Sequence, residues 1–138
     1  MTRISPYLSF NDNCREAMNF YKECLGGELV FTTVGESPMA AMMPPEMTDS
    51  ILHSSLTIGD AMIMASDLHR SALLDGNTIT LCINCSNEAD FIRFFTNLSR
   101  GGEVVEDINE MPTGAKIASV TDKYGKQWTF YYDKNDPS

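Results

Sequence analysis

The sequence predicts an α+β fold built from two βαβββ modules in tandem, and three repeated features carry that reading. Ala17, Phe20, Tyr21 and Cys24 are spaced as one face of an α-helix, and Phe91, Phe94, Phe95 and Leu98 repeat the same steps. Each helical stretch then runs into Gly-Gly-Glu and an apolar pair, Gly26-Gly27-Glu28-Leu29-Val30 and Gly101-Gly102-Glu103-Val104-Val105. Glycine just past a last turn takes the left-handed backbone that ends a helix. Each helix is also preceded by a short alternating apolar run, Pro6, Leu8, Phe10 in one case and Ile79, Leu81, Ile83 in the other. Strand, helix, strand is thus used twice.

The first strand is expected over about Ile4 to Phe10, and Asn11-Asp12-Asn13 supplies a turn and a helix N-cap. Asn13 and Glu16 have capping-box spacing. The first helix should cover about Cys14 to Leu25 and the second strand about Glu28 to Val34. Gly35 to Ser50 holds three prolines and four methionines without a clean period. It reads either as a surface loop or as a flexible wall over a pocket, since methionine adapts to irregular apolar contacts. Ile51 to Ile58 and Ala61 to Ser66 read as a hairpin turning at Gly59-Asp60.

Leu68 to Asn77 is the expected connector, after which the order repeats. A strand is expected over Thr78 to Asn84, a helix over about Glu88 to Ser99 and a strand over Glu103 to about Ile108. A short loop from Asn109 to Ala115 follows, then a hairpin of Lys116 to Thr121 and Gln127 to Tyr132. The whole is read as a single domain, 1–138, with module one at about 1–67, the connector at 68–77 and module two at about 78–133.

A formal charge of -9 argues against phosphate backbones and anionic membranes, so neither nucleic acid nor membrane is an expected partner. No apolar run approaches the ~20 residues of a membrane helix, and MTRISPYLSF lacks the apolar core of a signal peptide. A cytoplasmic location follows as the expectation, with Cys14, Cys24, Cys82 and Cys85 as reduced thiols. Cys82 and Cys85 form a C-x-x-C. Residues three apart on a strand point to opposite faces, so the pair is read as buried thiols near a strand end rather than as a redox or zinc motif.

Three blocks carry a resemblance: PYLSFNDNCREAMNFYKECLGGEL at 6–29, ILHSSLTIGDAMIMASD at 51–67 and VTDKYGKQWTFYYD at 120–133. They resemble the PhnB-like branch of the vicinal oxygen chelate superfamily, which includes glyoxalases, extradiol dioxygenases and the bleomycin and fosfomycin resistance proteins. The resemblance covers nearly the whole chain and implies the glyoxalase/bleomycin resistance-like fold, with a ligand cleft between the curved sheets. The branch is often labelled with a demethylubiquinone methyltransferase domain name. No doubly wound nucleotide-binding pattern supports carrying that activity over.

The superfamily holds a divalent metal on cavity-facing His, Glu or Gln side chains of four strands; no cofactor is assigned here, and a divalent metal is the candidate that the resemblance brings. Matching places Ser5, Ser55, Thr78 and Thr129 at its ligand positions. None of these hydroxyls is a good ligand for a divalent ion. Strand alternation assigns to the cleft Ser5, Tyr7 and Ser9; His53, Ser55 and Thr57; Thr78, Thr80 and Cys82; and Gln127, Thr129 and Tyr131. Only His53 and Gln127 among them could coordinate, and His53 is the one metal candidate. The expected ligand-binding set is Tyr7, His53, Ser55, Thr57, Thr78, Thr80, Gln127, Thr129 and Tyr131, with Met42 and Met43 from the Met/Pro loop.

Two functions compete. One is a small-molecule-binding protein without the full metal ligand set. The other is a divergent metal-dependent enzyme of the glyoxalase or dioxygenase kind, using His53, Gln127 and a ligand from the loop or a partner chain. No catalytic residue is assigned. A two-fold homodimer is expected, because open sheet edges and the apolar Met39, Met42, Met43 and Met47 call for a covering surface.

Overall fold

A computed structural model of the chain describes residues 2–136. Module one runs β1 (Tyr7–Ser9), α1 (Cys14–Leu25), β2 (Glu28–Thr33), β3 (Ile51–Ile58) and β4 (Ala61–Ser66). Module two runs β5 (Leu81–Cys85), α2 (Glu88–Ser99), β6 (Glu103–Glu110), β7 (Lys116–Thr121) and β8 (Gln127–Tyr132). Each is βαβββ, and each forms its own four-stranded sheet, β1-β4-β3-β2 and β5-β8-β7-β6. First and last strands pair in parallel, while the remaining neighbours are antiparallel. The chain divides into two compact units, Met1–Leu74 and Asp75–Ser138, with the division inside the expected connector. No helix among the described residues is long and apolar enough to cross a membrane.

Both helices keep the bounds that their spacing predicts, yet they start differently. Asn13 does not cap α1; its side chain instead accepts the Asn11 N–H at 3.1 Å. The first N–H of the helix, that of Cys14, is taken at 2.9 Å by Asp67 Oδ1, which lies just past β4, and Asp67 Oδ2 accepts the Ile51 N–H at 2.9 Å. One buried carboxylate thereby ties the start of α1, the start of β3 and the end of β4. α2 is capped locally, Asn87 Oδ1 accepting the Asp90 N–H at 2.8 Å.

The doubled glycines have separate jobs. Gly26, at φ 79°, and Gly101, at φ 72°, end the helices as expected. A Cβ on the second glycine would run into a carbonyl of the adjoining hairpin, Thr57 O for Gly27 and Thr121 O for Gly102. The Gly-Gly pair is therefore required by close chain crossing as well as by the turn.

α1 buries Cys14, Ala17, Met18, Phe20, Tyr21 and Cys24 on a sheet face made of Ser54, Leu56, Ile63 and Ala65. α2 buries Phe91 and Leu98 over Trp128, Phe130, Ala118 and Val120, and Phe95 meets Phe130 edge-on at 5.8 Å. Asp122 organises the β7–β8 turn: it accepts the Tyr124 and Lys126 N–H groups and, at 2.7 Å, Trp128 Nε1–H. Among the side chains described, Ser54 Oγ is buried without a hydrogen-bond partner.

Three strand bounds depart from the sequence reading. β1 begins at Tyr7, because Pro6 has no N–H for a ladder. β5 begins at Leu81 because it pairs there with Trp128, the second residue of β8, and its partner strand runs out just ahead. Ile79, expected to pack, is 81% exposed. β6 extends to Glu110, with every residue exposed. The Met/Pro loop contains two short 3-10 turns, Pro38–Met42 and Pro45–Met47, the first capped by Ser37 Oγ, which accepts the Met39 N–H.

Candidate functional site

One face of each sheet is taken by its helix, so the alternate side chains are left on the other face. In module one, register aligns Tyr7 of β1 with Met64 of β4, Met64 with Ser55 of β3, and Ser55 with Val30 of β2. Met62 pairs with Thr57, and His53 with Thr32. Met62, Met64, Ser55 and Thr57 are half-buried, whereas Tyr7 and Val30 are 52% and 60% exposed. The Tyr7 and His53 rings lie 6.4 Å apart between centroids, tilted by 37°. This face is mixed: thioether, aromatic and aliphatic surface edged by an imidazole and hydroxyls, with Glu28 at one corner.

The corresponding face of module two is richer in hydroxyls, with Ile117 and Tyr131 as its apolar part. Cys82 aligns with Thr129 and Thr129 with Ser119, and Asn84 aligns with Tyr131. Thr129 donates to Thr80 Oγ1 at 3.0 Å, and Thr121 donates to Gln127 Oε1 at 3.1 Å. Thr78 and Thr80 both precede β5, correcting the strand placement of each, but Thr80 is still drawn to the face by Thr129. Thr78 and Ser5 lie outside the strands, so the fourfold hydroxyl set implied by family matching reduces to Ser55 and Thr129 as strand residues. Met42 is 82% exposed, while Met43 is half-buried.

A feature that sequence reasoning missed is a groove of about 470 Å³ between the start of α1 and the end of the Met/Pro loop. Asp12, Glu16, Glu46, Asp49 and Asp67 line it together with Arg15. Its inner oxygens serve the fold: Asp67 holds two backbone N–H groups, and Asp12 Oδ1 accepts the Ser50 hydroxyl at 2.9 Å. The only signal in the sequence was the Asn-Asp-Asn cluster, which turn chemistry already explained.

Three of the four thiols are held toward their neutral form. Burial, reinforced by the Asp67 carboxylate, pushes Cys14 up to about 12, and burial together with Asp90 pushes Cys85 up to about 11. Burial also raises Cys82, the exposed one of the four. Cys85 is buried as read, but Cys82 is exposed, which corrects its reading as a buried thiol; opposite strand faces put the two in different surroundings.

A divalent ion does not fit the donors that these faces offer. Among the described residues no group of three or more His, Cys, Asp or Glu side chains is arranged to hold one. Ser55, Thr57, Thr80 and Thr129 bring neutral hydroxyls, which cannot match carboxylate or imidazole as ligands to a hard or borderline dication.

Paired βαβββ modules with these sheet orders are the fold of glyoxalase/bleomycin resistance/dioxygenase proteins, as structural likeness to members of that group shows. The model of the family described as 3-demethylubiquinone-9 3-methyltransferase matches residues 2–131. The chain belongs to that family, the PhnB-like branch of the vicinal oxygen chelate superfamily. It is 31% identical to Protein YjdN of Escherichia coli (strain K12), over 98% of each chain. It is similar to the crystal structure of protein PA1353 from Pseudomonas aeruginosa, with TM-score 0.85, 32% identity and coverage of 96% of this chain and 98% of that one. A Bacillus cereus PhnB protein, described as a putative 3-demethylubiquinone-9 3-methyltransferase, shares the fold at TM-score 0.74 and 22% identity, covering 96% and 100% of the two chains.

Proposed function

We propose that this chain is a small-molecule-binding protein and that the face of the first sheet turned away from α1 is its binding surface. The observation that carries the reading is the row Tyr7, Met64, Ser55, Val30, which leaves aromatic, thioether and aliphatic surface exposed on a well-packed sheet. Apolar surface with a few convergent polar groups is the usual lining of a small-molecule site. His53, Ser55 and Thr57 supply the polar groups, and the ligand class is a partly apolar organic molecule. Thr80, Gln127, Thr129 and Tyr131 belong to the other module, outside this surface. Neither the titration of a cysteine nor a divalent ion enters this reading. The protein works in the cytoplasm as a homodimer, with Met42 and Met43 resting on ligand or partner.

Native mass spectrometry of the purified chain tests the binding. The expected result is an organic mass retained under native conditions, released on denaturation and reduced in Tyr7→Ala. A chain of bare sequence mass that also shows no thermal shift with any of a panel of planar, partly apolar compounds would contradict it. Retention of a stoichiometric divalent metal that His53→Ala removes would favour the metalloenzyme instead. Light scattering should report about twice the 15.3 kDa chain mass.

A further inference from the structure

The free face of the second sheet differs in chemistry from that of the first. We propose that Asn84, Tyr131, Thr129 and Ser119 form a binding site for an uncharged polyhydroxylated ring, a sugar or cyclic polyol, on the face of the second sheet turned away from α2. Trp128, Phe130, Ala118 and Val120 are buried on the α2 side, so Thr129, Tyr131 and Ser119, which alternate with them, stand on the other face. All three are half-buried, and Asn84 is exposed.

Register makes the patch compact. Asn84 of β5 stands opposite Tyr131 of β8, and Thr129 of β8 stands opposite Ser119 of β7, so the four side chains occupy two adjacent rows on three neighbouring strands. Strands lie ~4.7–4.9 Å apart and same-face neighbours along one strand are ~6.4–6.8 Å apart. The longest separation, Asn84 to Ser119, is therefore roughly 12 Å at the backbone, within the reach of a six-membered ring polyol hydrogen-bonded at both ends.

The hydrogen-bonding groups of the patch are largely unused. Asn84 Oδ1 meets only the Cys82 thiol, at 4.0 Å, and among the described residues neither the Asn84 side-chain amide nitrogen nor the Ser119 and Tyr131 hydroxyls have a hydrogen-bond partner. Thr129 donates to Thr80 Oγ1 and keeps its own lone pairs free to accept. Amides and hydroxyls both give and accept hydrogen bonds, which matches a ligand whose every hydroxyl does the same. Charge narrows the class. The two rows hold no Lys or Arg, and Glu106, opposite Ser119 on the edge strand β6, repels an anion, so phosphates and carboxylates are disfavoured. The Tyr131 ring and its β7 partner Ile117 supply an apolar strip suited to the C–H face of such a ring.

The test follows backbone and side-chain amide signals of the 15N-labelled full chain by NMR during titration with D-glucose, with myo-inositol, and with cyclohexanol, a ring that carries a single hydroxyl. The expected result is a saturable shift at Asn84, Ser119, Thr129 and Tyr131 with one or both polyols at millimolar concentration, while Ser55 and Met64 on the first sheet stay in place. Cyclohexanol should leave all of them unmoved, because a site built to hydrogen-bond hydroxyls rejects an analogue that lacks them. Asn84→Ala, which removes an exposed side chain, should weaken polyol binding about 5-fold, as loss of one neutral hydrogen bond does. No shift with either polyol, equal shifts with cyclohexanol, or unchanged affinity in Asn84→Ala would overturn the site. Shifts of the same four residues on simple dilution of the ligand-free chain would overturn it too, since a second copy would then cover the face. Each of these failures leaves the apolar reading of the first sheet standing, because that surface belongs to the other module.

Discussion

The two modules share one plan and use it unequally. The same helical spacing buries six residues of α1 and two of α2. Part of the reason is one helical turn away from the shared pattern: Cys14 and Met18 widen the apolar stripe of α1, whereas the matching places on α2 are Glu88, which pairs with Lys116, and Ile92, which is 47% exposed. The helix starts differ as well, one held by a buried carboxylate 53 positions away and the other by its own Asn87. The free sheet faces differ most, soft and partly apolar in module one, hydroxylic in module two. A duplicated fold thus retains its backbone rules while its two halves are free to divide chemistry between them.

The largest expected effect tests whether the second core is sound despite its thinner helix contact. Trp128 is almost completely buried and donates to Asp122, so Trp128→Ala should cost ~3–5 kcal/mol in urea denaturation. A loss below ~1 kcal/mol would mean that module two is not held by that core. The next effect separates the two caps. Asp67→Ala orphans the buried Cys14 and Ile51 N–H groups and should cost about 2–6 kcal/mol, at ~1–3 for each unsatisfied group. Asn87→Ala should cost about 1 kcal/mol, as an ordinary N-cap does. Equal losses would erase the distinction.

Thiol chemistry sharpens the comparison further. Cys82 should be alkylated in the native state, while Cys14 reacts only on unfolding. Because the folded state favours the neutral Cys14 thiol, its contribution to stability is complete below the ordinary value of 9.0 and is lost as pH rises toward about 12. Cys14→Ala should remove that part of the alkaline decline in denaturation midpoints measured across this window. The smallest effect is at Ser54, whose buried hydroxyl lacks a partner; Ser54→Ala should be neutral or stabilising by up to ~1 kcal/mol.

Much of this fold was legible because each signal was local. Cys14–Leu25, Glu88–Ser99 and both hairpins follow from side-chain spacing and turn residues. The misreadings arose where a distant partner decides the outcome. Asn13 looked like a cap, but Asp67 takes the N–H. Thr78 and Ile79 continued an alternating pattern ahead of the start of β8. Met62 and Met64 were read only as strand residues, since their place beside Thr57 and Ser55 depends on the pairing of β3 with β4. The acidic groove likewise joins residues from three parts of the chain, which no spacing rule connects.

The central claim is that the first face, rather than the second, receives an apolar ligand. The most direct measurement is a titration of the [methyl-13C]methionine chain with the neutral planar dye Nile red. The account predicts that the Met62 and Met64 methyls shift together with dye fluorescence, while Met18 under α1 and Met111 beyond β6 stay in place. Shifts confined to Met111, or fluorescence gain with Met62 and Met64 unmoved, would contradict it.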